Sequence, residues 1–131
     1  MAITAQGLNY IGYLLTNGNK IALGTGENSL LPVGVGNYQD VFIGGSSSEQ
    51  QRGKTAAMST SGGVITNTNR FYFNAADTNW GSISHVFIVT STRSILYSGV
   101  INSGTPVSIT QNKRPKFDEG AIRITITASG S

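Results

Sequence analysis

The amino-terminal segment has apolar residues at helical spacing. They recur at intervals of three and four residues: Leu8, Ile11 and Leu15, with Tyr10 and Leu14 on the adjoining stripe. Thr4 is a suitable N-cap, and Gly18 stands where a helix would end in a left-handed residue. The pattern predicts one short helix over about residues 4–17. Gly7 and Gly12 each weaken this helix by up to about 1 kcal/mol relative to alanine, so it needs to pack on its own core or on a partner.

From Lys20 onward, apolar and polar residues alternate with the period of two that is typical of strands. The predicted strands cover residues 20–23, 38–43, 54–60, 64–73, 82–90, 94–100, 105–110 and 121–128. Residues 86–89 are apolar on both faces, as in a central strand. The sequence Ser61–Gly62–Gly63 predicts a hairpin turn, whereas residues 46–53 are polar and without period and predict an exposed, mobile loop.

Seven to eight strands separated by turn signals predict a mainly β fold. The two architectures that fit are a β-sandwich and a jelly-roll-like barrel, each with one short amino-terminal helix. The length of 131 residues suits one domain, and no segment has the composition of a linker. We therefore expect a single β-sandwich domain over residues 1–131, with the helix at about 4–17 and strands from about 20 to 128.

Composition narrows the possible chemistry. The chain has no cysteine and one histidine, so disulfides, thiolate metal sites and a cysteine nucleophile are excluded. Nine basic and six acidic side chains give a net charge of +3, and most of the bases are scattered, which is not the pattern of a nucleic-acid-binding face. The sequence has neither a signal-peptide pattern nor an apolar run long enough for a membrane span. We expect no cofactor, no metal and no nucleic-acid partner.

Three segments resemble catalytic motifs without completing them. Gly53–Lys54–Thr55 matches the end of a phosphate-binding loop, but the glycine required five positions earlier is Ser48. His85 lies in the middle of a predicted strand, where a core or interface role is expected rather than a catalytic triad. Asp118 and Glu119 are adjacent, so on an extended chain they point in opposite directions. The sequence therefore predicts a protein that is not an enzyme.

Two groups of residues are candidates for contact with other molecules. The chain has several aromatic residues that could form a sugar-binding platform: Tyr38, Phe71, Tyr72, Phe73, Trp80 and Tyr97. Most alternate with small residues as core positions do, so Trp80, in a polar loop, is the candidate glycan contact. Lys113, Arg114 and Lys116 form the one basic cluster, and the acids that follow favour a protein contact over nucleic acid. Together with Leu8, Ile11 and Leu15, these bases are the candidate interface residues.

The order of these segments resembles that of small structural proteins of tailed bacteriophages, of the tail-fibre or minor-tail type. The resemblance rests on the short helix, the strand at 20–23, a Gly- and Ser-rich loop, the stretch 63–73, the run Gly-Ser-Ile-Ser-His-Val at 81–86, Tyr-Ser-Gly at 97–99 and the alternating last strand. The chain departs from this pattern at residues 111–118, where a basic stretch replaces a Gly-Asp turn. The resemblance implies no catalytic residue.

These observations together predict a non-enzymatic structural protein of a tailed bacteriophage particle, belonging to the tail fibre or baseplate and acting in tail assembly or host attachment. A capsid decoration protein, which would bind the major capsid protein, and a carbohydrate-binding module are the alternatives. The expected partners are other virion proteins, further copies of the chain in a closed oligomer such as a trimer, and a glycan of the host surface. The expected location is the virion, after assembly in the host cytoplasm.

Overall fold

The structure is a computed structural model that describes residues 4–126. The predicted amino-terminal helix is confirmed as α1 (Ala5–Thr16), and a second helix, α2 (Ser47–Gln51), has five residues. Thr4 caps α1, since its side chain accepts a hydrogen bond from the backbone N–H of Gly7. At the other end, Gly18 has a φ of 73°, the left-handed conformation expected of a residue that ends a helix.

Twelve short strands and two 3-10 turns, Val35–Asn37 and Asn102–Gly104, form the rest of the regular structure within residues 4–126. The strands are β1 (Lys20–Gly26), β2 (Ser29–Leu30), β3 (Val41–Phe42), β4 (Met58–Ser61), β5 (Val64–Asn67), β6 (Phe71–Tyr72), β7 (Gly81–Ile83), β8 (His85–Val89), β9 (Ile95–Val100), β10 (Val107–Ile109), β11 (Lys116–Phe117) and β12 (Arg123–Thr125). The predicted last strand continues to residue 128, and residues 127 and 128 lie outside the described range.

The strands form several antiparallel sheets. The largest has the order β2-β1-β8-β9, with β3 also paired to β1, and the second has the order β12-β5-β4. Two two-stranded ribbons, β7 with β10 and β6 with β11, complete the structure. The architecture is sandwich-like, and within residues 4–126 the sheets do not close into a barrel. The prediction of a mainly β, sandwich-type fold is confirmed.

One cluster of buried apolar side chains joins the two larger sheets. Ile21 and Ile88 face each other across β1 and β8, and they contribute to the same cluster as Ile65 of β5 and Ile124 of β12. The opposite face of β8 is also covered, because Phe87 is fully buried in a smaller cluster. The prediction that residues 86–89 form a central strand is therefore confirmed.

Helix α1 packs against β4 at the edge of the second sheet. The contact runs through Gly12, where an added Cβ would lie only 2.6 Å from Cγ2 of Thr60. Leu15, one turn away on the same side, packs against the main core. Gly12 thus weakens the isolated helix but allows its backbone to approach the sheet closely.

Two predictions about residues 46–73 differ from the structure. The expected loop at 46–53 contains α2, because Ser46 and Glu49 form a reciprocal capping box at its start. The expected continuous strand at 64–73 breaks between β5 and β6. Asn69 explains the break, since its side chain bonds the backbone of Gln50, Thr55 and Ala57 and so replaces sheet pairing with contacts to a neighbouring loop. The hairpin between β4 and β5 is confirmed, with Gly62 and Gly63 both at positive φ.

Candidate functional site

The exposed residues of α1 include the polar Gln6 and Asn9 and four large apolar residues. The four apolar side chains are Tyr10 (62% exposed), Ile11 (38%), Tyr13 (55%) and Leu14 (55%). We call these four residues the outer helix face. The rings of Tyr10 and Tyr13 are nearly parallel, with centroids 6.5 Å apart. Residues 5–16 include no charged side chain, so a partner of this surface would be recognised by apolar and aromatic contact rather than by charge.

Two of the three candidate interface residues of α1, Leu8 and Leu15, pack on the protein itself, which is one of the two options that the sequence left open. Leu15 packs on the core, and Leu8 is half-buried against the turn at Gly63. Only Ile11 belongs to the exposed surface. Gly12 determines which side of α1 faces the sheet. Because this residue has no side chain, the helix backbone can approach β4 closely on that side. The sequence also indicates the exposed surface, because Tyr10 and Leu14 lie on the helical stripe next to the one formed by Leu8, Ile11 and Leu15.

The prediction that Trp80 is exposed, on which its choice as the candidate glycan contact depended, is wrong. Trp80 is 6% exposed, and its indole Nε1–H donates to the backbone carbonyl of Gly36 at 2.9 Å. Its ring meets that of Tyr38 edge to face, with centroids 5.2 Å apart. Although Trp80 lies in a polar loop, its indole can be buried, because the Gly36 carbonyl accepts its N–H and the rest of the ring is apolar.

The three bases near the last strand do not act as one group. Arg114 donates from Nε to the carbonyl of Phe73 at 3.0 Å, and Lys116 lies 3.6 Å from a carboxylate oxygen of Asp118. Arg114 also lies over the ring of Tyr72, as does Arg70, which was not predicted from the sequence, and Lys116 is opposite Tyr72 in the pairing of β6 with β11. Arg70 joins them because β6 pairs with β11, a contact between segments far apart in the chain. Lys113 is exposed.

His85 is half-buried and lies in β8, as the strand prediction requires. Its Nδ1 is 2.7 Å from the hydroxyl of Ser84, and its ring stacks on Phe87 with centroids 6.2 Å apart. Among the described residues, no acidic side chain is hydrogen-bonded to His85. No group of three histidine or acidic residues within residues 4–126 is placed to hold a metal ion.

The most buried ionic contact is structural. Asp40, with a side chain 3% exposed, is 3.0 Å from Nε of Arg93, which also donates to the carbonyl of Leu31. The hydroxyl of Tyr38 donates to Asp40 at 2.6 Å and accepts from the backbone N–H of Leu23 at 2.8 Å. This network holds the connection between β2 and β3 against β1 and the turn after β8. Burial, and then the neighbouring Asp40 carboxylate, raise the pKa of Tyr38 well above its usual range.

We expect this network to fail in alkali. Because the pKa of Tyr38 is raised in the folded protein, its stabilising effect is complete below pH 10, the ordinary tyrosine pKa, and is lost as the pH rises above it. The free energy of unfolding should fall by about 1.4 kcal/mol per pH unit from this group alone. Urea unfolding between pH 9 and pH 11 measures the slope. Tyr38→Phe should remove that part of the slope, and Tyr10→Phe should keep it. Equal slopes in all three proteins would contradict the assignment.

Among residues 4–126, no helix has the length and apolar character needed to cross a bilayer. Comparison with models of protein families, with curated proteins and with solved structures gives no significant match.

Proposed function

We propose that this chain is a non-enzymatic structural protein of a tailed bacteriophage particle, located in the tail fibre or baseplate. The proposal is supported by the order of sequence segments, which resembles that of small phage tail proteins. The geometric observation that carries it is the outer helix face, an uncharged apolar surface on a small β-rich chain. Through this face the protein binds a neighbouring virion protein.

The energetics favour this face as the main attachment site. Complete burial of a large apolar side chain is worth roughly 1.5–3 kcal/mol, and Tyr10, Tyr13 and Leu14 are each more than half exposed in the free chain. Exposed ion pairs of the kind that Lys113 could form are worth about 0–1 kcal/mol each. The helix is also held in place by Gly12 and Leu15, so little ordering of the chain is needed when a partner binds.

Assembly into a closed homo-oligomer, such as a trimer, is part of the proposal. Strand β9 ends the largest sheet and β12 ends the second, so each has an edge without a paired strand among the described residues. Unpaired edges are sites where a further chain can add, and an oligomer covers them. Leu96 and Val100 on β9 are exposed apolar residues beside one of these edges.

The copy number in the particle tests the location. We expect quantitative mass spectrometry of purified particles of the phage that encodes the chain to find it at a few tens of copies or fewer. A symmetric tail structure contains few copies of each component, whereas a capsid lattice contains many. Hundreds of copies would instead favour the capsid decoration protein, and absence from the particles would contradict the proposal.

A further inference from the structure

A polar hollow of about 480 Å³ lies between the end of α2 and the ribbon of β6 and β11. Its lining includes Gln51, Arg52, Arg70, Tyr72, Asp118 and Glu119. We call it the Tyr72 hollow. The hollow shares no residue with the outer helix face. The proposed assembly contact therefore does not account for its charged lining.

Cationic side chains gather around the ring of Tyr72. The guanidinium carbons of Arg70 and Arg114 are 5.6 Å and 5.1 Å from the ring centroid. Lys116 is directly opposite Tyr72 in the β6–β11 register, so both side chains project from the same face of the ribbon. Cation–π attraction holds each of these guanidinium groups against the ring of Tyr72, and of the two arginines Arg70 lines the hollow.

Two asparagines fix the walls of the hollow. Asn67 is 1% exposed and donates to the carbonyls of Asn69 and Asp118 at 2.8 Å and 2.9 Å. Asn69 in turn donates to the carbonyl of Gln50 at the end of α2. Gly53 completes the contact, since a Cβ there would lie 2.6 Å from a carbon of the Tyr72 ring. The hollow is thus formed before any ligand binds, which lowers the entropic cost of binding.

The side chains of the hollow match the groups of a sugar that carries a carboxylate. Guanidinium groups bind carboxylates through two parallel hydrogen bonds. The backbone N–H of Arg52 donates to the carbonyl of Ser48, but the guanidinium groups of Arg52 and Arg70 make no hydrogen bond to another described residue. Asp118 and Glu119 can accept hydrogen bonds from sugar hydroxyls, and the amide of Gln51 can donate or accept. An acidic peptide or a nucleic acid has a negative charge at every unit, so it would be repelled by the same two carboxylates.

We propose that the Tyr72 hollow binds an acidic sugar, meaning a sugar unit with one carboxylate and several free hydroxyls. In the proposed tail protein, this site would determine which class of host-surface ligand the protein binds, and in that respect the inference rests on the proposed function. Binding itself is a property of the isolated chain and is tested on it.

The test is an NMR titration of the full chain with two probes that each carry a single carboxylate, the monosaccharides galacturonic acid and N-acetylneuraminic acid. We expect at least one probe to shift the backbone signals of residues 51–53 and 70–72. The methyl ester of that probe should bind about fivefold more weakly or worse, because Arg52 and Arg70, which line the hollow, lose their charged partner. Arg70→Gln should weaken binding by a similar factor, whereas Arg123→Gln, an exposed arginine on β12, should leave it unchanged.

The proposal is overturned if neither probe binds, if the ester binds as tightly as the acid, or if Arg70→Gln has no effect. A hexaglutamate peptide that binds the same residues as tightly as the sugar would overturn the assignment to a sugar. The proposed function is tested by a separate observation, because it requires the chain to be present in phage particles. Arg70→Gln should leave that incorporation unchanged.

Discussion

Replacement of Arg93 by methionine is expected to lower the free energy of unfolding by about 3 kcal/mol or more. Methionine keeps much of the length of the side chain but removes its charge and its three hydrogen bonds to Asp40 and Leu31. Asp40 would then hold a carboxylate that is 3% exposed and has no cationic partner. Loss of one partner from a buried ion pair is far more costly than loss of an exposed pair, because the remaining charge is kept from water.

Urea unfolding at neutral pH measures this effect against two further variants. Arg123→Met changes an exposed arginine and should alter stability by less than about 0.5 kcal/mol. Asp40→Asn combined with Arg93→Met should recover part of the loss, since no buried charge remains. If Arg93→Met alone cost less than about 1 kcal/mol, the carboxylate would have to be better solvated than its burial indicates.

The parts of the fold that were predictable from the sequence depend on local signals. Helix α1 has a cap, a helical period and a terminal glycine, and the hairpin at Gly62 and Gly63 has turn residues between alternating strands. The last strand has Ile122 and Ile124 buried and Arg123 exposed, as its period of two requires. Each of these signals lies within a few residues of the structure that it specifies, so no knowledge of tertiary contacts was needed.

The parts that were not predictable depend on contacts between distant segments. Arg70 and Arg114 converge on Tyr72 only because β6 pairs with β11, and each of these strands has two residues. The outer helix face depends on how α1 is rotated over β4, which a glycine rather than an apolar residue decides. Trp80 is buried because a carbonyl in another loop accepts its N–H. Spacing along the chain places Tyr10 and Leu14 on one helical stripe, but it does not show which stripe faces the sheet or which distant segments come into contact.

Replacement of Tyr10, Tyr13 and Leu14 by serine is expected to lower incorporation of the chain into particles by at least about tenfold. Even partial burial of three such side chains contributes several kcal/mol, and each 1.4 kcal/mol is a factor of ten in affinity. The free energy of unfolding of the isolated chain should change little, because these side chains point away from the core. Val33→Ser with Val35→Ser is the matched control, since both valines are about half exposed in the loop between β2 and β3.

A competition experiment in infected cells tests the central claim, attachment through the outer helix face, most directly. Cells that produce the phage express wild-type and variant chains in equal amounts, and mass spectrometry of purified particles gives the ratio of the two. The account predicts that the triple serine variant is depleted at least about tenfold while the Val33/Val35 variant is incorporated as well as the wild type. Equal incorporation of the triple serine variant and the wild type would contradict it.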